Sequence, residues 1–179
     1  MLSFFDYPTS APQDTDRAPT AEVLLPDASE ADWTTILEFT RARRLGAGQT
    51  VLAADGPGGS LYLVLEGTIE VVAPPGRFGR SRPAGRLEAG AMVGEVSFFD
   101  GEPRSMGVRA VTAAALAEMT HGDFENLFAA HPDLGRRLLM DLGRILAGRL
   151  RRAEAGGRAA YPSGVPGDRP PGPAPGTRP

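Results

Sequence analysis

The sequence predicts a mainly β domain with flanking helices, and three observations carry that prediction. Short apolar or β-branched runs recur about every ten residues between 39 and 119, bounded by Gly, Pro or Asp. That rhythm belongs to antiparallel sandwiches and barrels of the jelly-roll kind, here with about eight strands. The period then changes: Leu134, Leu138, Leu139, Leu142, Ile145, Leu146 and Leu150 repeat at helical spacing. Beyond both ends of this region no periodicity is left.

Taken in order, Ser29 is placed to cap a short helix carrying Trp33, Ile36 and Leu37. Strand-like runs follow at Phe39–Leu45, Thr50–Leu52, Leu61–Leu65, Thr68–Val72, Arg86–Ala89, Phe98–Phe99, Val108–Val111 and Ala114–Met119. Gly46-Ala47-Gly48 and Asp55–Gly59 read as turns, Glu66-Gly67 as the tip of a hairpin, and Pro74–Gly85 as a loop. Gly122–Ala130 reads as a helix. Pro132 is suited to start the last one, over 133–152, and Gly156-Gly157 to stop it.

These elements place one domain at 27–155, between an arm at 1–26 and a tail at 156–179. The tail contains seven Pro and six Gly, too little apolar surface to fold. The arm is read as flexible, with little in it that could join a core. Its Phe4, Phe5 and Tyr7 either pack back on the domain or form a docking motif.

Composition excludes several classes of function. The 179 residues are 41% hydrophobic, enough for a core, yet no apolar run approaches the ~18 residues of a membrane span. No basic stretch leads into an apolar one at the N-terminus, so no secretory signal is read, and the expectation is a cytoplasmic protein without membrane contact. With 0 cysteines, disulfides and thiolate metal sites are ruled out. A net charge of −3 speaks against non-specific nucleic-acid binding. All 19 basic residues are Arg, which GC-rich coding explains without any chemical reason. Paired carboxylates such as Glu66 and Glu70 read as ordinary hairpin surface. A metal-binding jelly roll needs several His with strand carboxylates, but the 2 His, His121 and His131, border helices. No Gly-x-Ser-x-Gly elbow and no phosphate loop ending in Gly-Lys occurs. No catalytic residue, metal site or prosthetic group is therefore expected, and the chain reads as non-enzymatic.

The chemistry concentrates in Val93-Gly94-Glu95-Val96-Ser97-Phe98-Phe99-Asp100-Gly101-Glu102-Pro103-Arg104-Ser105-Met106-Gly107-Val108. Gly94 lets backbone approach a ligand closely. Amides in a short helical turn near Glu95–Ser97 would aim donors at an anion. Arg104 offers a planar fork for two phosphate oxygens, and Ser105 a hydroxyl. Glu95 is suited to accept from a ribose hydroxyl, with Arg104 keeping it ionised.

This stretch resembles the phosphate-binding cassette of the cyclic nucleotide-binding domain family. Gly94-Glu95-Val96-Ser97 and, after a short run, Arg104-Ser105 carry the resemblance, supported by Leu61–Gly67 and by Val108-Arg109-Ala110. The resemblance runs from about 28 to 155. It implies an antiparallel β-roll of about eight strands with a short N-terminal helix and two C-terminal helices. It also implies cAMP as ligand, with cGMP somewhat less suited to Ser105. Glu95 would hold the ribose 2′-hydroxyl and Arg104 the cyclic phosphate, while Ser105 and amides near Gly94 and Val96 complete the cradle. Leu61, Leu63, Met92, Val93 and Val108 are the expected pocket wall, and the closing helix would lid the base through Arg149 or Leu150. Arg149 either stacks on a purine or is an exposed helix cation. Two residues depart from the pattern: Met106 replaces a small residue, crowding the base or filling core, and Ser97 stands where Ala or Gly is frequent.

After Ala155 nothing reads as a DNA-binding or other effector domain. The expected role is a stand-alone ligand-gated sensor acting through a protein partner, with no DNA contact. The alternative is a β-roll that has lost its ligand and serves as an interaction scaffold. Leu139, Leu142 and Leu146 in the last helix form either a homodimer seam or part of the cover over the roll.

Overall fold

A computed structural model of the chain describes residues 23–74 and 82–154. Phe4, Phe5, Tyr7 and the Gly156-Gly157 stop lie outside the described residues. Helix α1 (Glu30–Glu38) starts where Ser29 and Asp32 form a capping box, each side chain bonded to the other's backbone N–H. Eight strands follow: β1 (Arg41–Leu45), β2 (Thr50–Leu52), β3 (Ser60–Glu66), β4 (Ile69–Ala73), β5 (Arg82–Leu87), β6 (Met92–Val93), β7 (Gly107–Ala110) and β8 (Ala114–Thr120). Helix α2 (Glu95–Asp100) interrupts them after β6, and α3 (His121–Ala130) and α4 (Pro132–Glu154) close the domain. A second capping box, Thr120 with Asp123, starts α3.

The strands form two four-stranded antiparallel sheets, ordered β1-β8-β3-β6 and β2-β7-β4-β5. This is the β-roll that the sequence implies. Three expectations need correction. The runs on either side of Glu66-Gly67 do not form a hairpin: β3 pairs with β6 and β8, and β4 with β5 and β7. Gly67, at φ 82°, passes the chain from one sheet to the other, and a Cβ there would stand 2.2 Å from the Ala113 carbonyl oxygen. Phe98 and Phe99 belong to α2 rather than to a strand, so the sixth strand is Met92–Val93. Strand β5 begins at Arg82, inside the expected loop, with Pro83 opposite Val72 at the sheet edge.

Two cores result. Between the sheets lie Tyr62, Val64, Ile69, Val71, Leu87, Val93, Val108, Ala110 and Leu116. On the helix-facing side of the first sheet, Leu61, Leu63, Met92, Ala117 and Met119 meet Trp33, Ile36, Leu127, Leu138, Leu142 and Ile145. Strand β3 is covered on both sides, which is why it reads as an apolar run rather than an alternation. Leu24 and Leu25 join the second core. The last residues of the expected arm are thus part of the domain, held by the bond from Leu25 N–H to Asp141 Oδ2 at 2.6 Å. Leu142 is fully buried in that core, so it covers the roll and belongs to no seam.

Glu70 is likewise not surface. It points away from the inter-sheet core, yet Arg86 and Arg109 on the neighbouring strands bury it by closing over its carboxylate. No helix among the described residues is long and apolar enough to cross a membrane.

Candidate functional site

Strand alternation decides which side chains reach the interior of the roll. In β3, Ser60, Tyr62 and Val64 share one face and Leu61 and Leu63 the other. The inward face therefore presents a hydroxyl and a phenol just where β6 ends and α2 begins. Gly94 makes that junction in the left-handed region at φ 86°. A Cβ on it would lie 2.7 Å from Arg104 Nη1 and 2.9 Å from the Ser60 carbonyl oxygen, so only glycine allows the chain this close.

A small recess opens there, lined by Gly94, Glu95, Val96, Ser97, Arg104 and Ser105, with Val93, Leu52, Val71, Met106 and Val108 as its apolar wall. All six residues expected to touch ligand are together, as are Val93, Val108 and Met106. Leu61, Leu63 and Met92 are not at the site. The pleat turns them outward into the helix-facing core, and Leu52 and Val71 from the second sheet take their place. Met106 packs on the inter-sheet core while lining the recess, so of the two expectations core filling is what the structure shows.

Arg149 is neither a stacking lid nor an exposed cation. It lies one helical turn beyond Ile145 on the buried face of α4, is itself buried, and donates from Nη1 to Glu95 Oε1 at 2.5 Å and from Nη2 to the Met92 carbonyl oxygen at 2.9 Å. Leu150, one residue on, is 58% exposed and does not line the recess. The partner of Glu95 is therefore Arg149, not Arg104. The second carboxylate oxygen, Glu95 Oε2, is buried without a hydrogen-bond partner. A buried acceptor left in this way is costly unless a donor reaches it.

Arg104 is buried and held by neutral acceptors. Its Nε donates to the Pro57 carbonyl oxygen at 3.0 Å, Nη1 to the Gly94 carbonyl oxygen at 3.0 Å and Ser97 Oγ at 2.8 Å, and Nη2 to Ser60 Oγ at 2.8 Å. Its backbone is tied to the β2–β3 loop by bonds with Asp55 and Gly56. Burial works against the Arg104 charge, and the nearby Tyr62, Glu118 and Glu95 work for it. No carboxylate among the described residues forms an ion pair with it, which leaves a buried cation facing the recess without a counter-anion. Tyr62 lies beneath, its ring centroid 5.9 Å from Arg104 Cζ, and its hydroxyl donates to Glu118 Oε1 at 2.6 Å. Burial, and then the bond to Glu118, push the Tyr62 phenol above its ordinary range, so it stays a donor.

Pro57, Ser60, Tyr62 and the role of Arg149 were missed from sequence. One signal pointed to Arg149, which continues the buried stripe Leu138, Leu142, Ile145 by four residues, whereas β3 is apolar on both faces and nothing in it marked Ser60 and Tyr62 as inward.

Comparison with known proteins agrees with this geometry. The sequence pattern of the cyclic nucleotide-binding domain matches residues 42–131. The chain is 32% identical over 99 residues to a cyclic nucleotide-gated potassium channel of Mesorhizobium japonicum, covering 55% of this chain and 26% of the channel. It is 32% identical over 111 residues to a CRP-like cAMP-activated global transcriptional regulator of Mycobacterium tuberculosis, covering 59% of this chain and 45% of the regulator. It thus spans less than half the length of either relative. Among solved structures, a cyclic nucleotide-binding domain from Methylobacillus flagellatus superposes with a TM-score of 0.66 at 25% identity, covering 75% of this chain and 80% of that one.

The buried pair makes a direct prediction about stability. Arg149→Met leaves the Glu95 carboxylate buried without a cation and should cost about 3–5 kcal/mol in denaturant unfolding. Adding Glu95→Gln in the same chain should recover most of that loss. An Arg149→Met protein as stable as the parent would contradict the pairing.

Proposed function

The chain belongs to the cyclic nucleotide-binding domain family, and from that membership we propose that the recess binds a cyclic nucleotide, cAMP first, as the input of a non-enzymatic regulatory module. One observation carries this reading. The same small recess is lined by a buried carboxylate oxygen that lacks a donor and a buried guanidinium that lacks a counter-anion. A ribose cyclic phosphate supplies both from one molecule: a 2′-hydroxyl for Glu95 Oε2 and a singly charged phosphodiester for Arg104. Ser105, exposed at the rim, adds a hydroxyl donor, and the first turn of α2 lines the same recess. The wall of Leu52, Val71, Val93, Met106 and Val108 suits the sugar and the base edge.

The output of such a module passes through a protein that it contacts, in the cytoplasm. The face of α4 turned away from the roll carries Leu139 and Leu150, 37% and 58% exposed, with a half-buried Leu146 between them. Spaced by seven and four residues, they fit a second copy of the helix. Leu150→Glu should then turn a dimer into a monomer by light scattering. A parent chain that is monomeric at high micromolar concentration ends the homodimer and leaves a different protein as the partner.

Binding itself is tested by calorimetry and thermal shift with cAMP and cGMP. At 100 times its dissociation constant a ligand adds about 2.7 kcal/mol of stability, a melting shift of several degrees for a domain this size. Arg104→Ala should lower affinity by tenfold to a hundredfold, at ~1.4 kcal/mol per decade. Glu95→Gln should weaken cAMP more than 2′-deoxy-cAMP, and the exposed Arg136→Ala should change neither. No shift with either nucleotide at millimolar concentration would leave the module as an interaction scaffold.

A further inference from the structure

A guanidinium has five N–H donors. In Arg104, Nε and both donors of Nη1 are taken, and so is one of the two on Nη2. One N–H remains. A phosphate gripped by the fork needs two parallel donors. Arg104 therefore cannot take a phosphate bidentately without surrendering one of the bonds it now makes.

The four acceptors are not equally easy to give up. The Pro57 and Gly94 oxygens are backbone carbonyls, and Gly94 holds a left-handed junction with no room even for a Cβ. Ser60 Oγ and Ser97 Oγ are hydroxyls that turn about a single side-chain bond. Ser60 also has a second partner, since its hydroxyl donates to Tyr62 Oη at 3.3 Å. It stays hydrogen-bonded if Arg104 leaves. The two serines come from different elements, Ser60 at the start of β3 and Ser97 in α2, each bonded to a different terminal nitrogen of the same guanidinium.

We propose that Ser60 and Ser97 form a hydroxyl clip on Arg104 that competes with the nucleotide phosphate and so sets the affinity of the recess. The clip keeps a buried cation hydrogen-bonded until an anion arrives, and the anion must displace it. This inference rests on the reading of the recess as a cyclic nucleotide site. It adds that the serines are positioning residues which lower affinity rather than ligands which raise it. Ser97, expected from sequence to touch the ligand, then acts through Arg104.

The test is calorimetric titration of cAMP into the full chain and into Ser97→Ala and Ser60→Ala. Removing either hydroxyl should tighten binding by about tenfold, the equivalent of ~1.4 kcal/mol. Without nucleotide, each variant should melt below the parent, because a buried N–H loses its acceptor. A second readout follows the clip itself. The Arg104 Nε–H resonance in nitrogen-labelled protein should exchange slowly with water in the parent and faster in Ser97→Ala before any nucleotide is added. If one variant fails to fold, the other still decides. A parent that binds cAMP while both variants bind equally or more weakly overturns the clip and leaves the nucleotide site standing. Absence of binding to the parent and to both variants overturns the nucleotide site and the clip together.

Discussion

The ion pair between Glu95 and Arg149 is the constraint on which the site depends. It joins the residue that opens α2 to the penultimate turn of α4, across 54 positions of sequence, where neither side chain has water to turn to. A buried pair of this kind adds little net stability compared with well-packed apolar residues, but it tolerates no mispairing. Its effect is therefore on position. It fixes which face of α4 meets the roll, and it orients the carboxylate so that one oxygen is spent on Arg149 and the other is turned to no protein donor.

The other half of the recess follows from Arg104. Its backbone is bonded to the β2–β3 loop and its side chain to β3, the β6–α2 junction and α2. Two segments distant in sequence, 55–60 and 94–97, thus converge on one cation. Small residues make this convergence sterically feasible: Gly94 at the junction, and Gly58, where a Cβ would lie 2.4 Å from the Glu102 carbonyl oxygen. Under the proposed function, the same geometry would couple binding to the helices. A nucleotide that drew Arg104 and Glu95 toward itself would act on α2 through Ser97 and on α4 through Arg149. A change at the recess would thereby reach α4, which carries exposed apolar side chains.

Much of this was legible in the sequence, because local chemistry determined it. The Ser29 cap, the α4 stripe and the cassette from Gly94 to Ser105 all depend on spacings of a few residues. What escaped depended on how distant strands pair. Glu66-Gly67 has the composition of a hairpin tip, and only the pairing of β3 with β8 and of β4 with β7 shows that the chain changes sheet there. Leu61 and Leu63 looked like pocket wall because β3 is apolar on both faces, so no alternation revealed which parity points inward. Glu70 looked like surface because the arginines that cover it come from two other strands. Arg149 was misjudged because a cation near a helix end is usually solvated. Its place four residues after Ile145 on the buried face is the feature that outweighs that habit.

The central claim is that Glu95 and Arg104 face one cyclic nucleotide from the same recess. A crystal structure of the full chain grown with cAMP tests it most directly. The ribose 2′-hydroxyl should lie within hydrogen-bond distance of Glu95 Oε2, and the cyclic phosphate within reach of Arg104 and Ser105, with the Glu95–Arg149 pair intact. A nucleotide bound elsewhere on the domain, or one in the recess whose phosphate does not touch Arg104, would contradict the account.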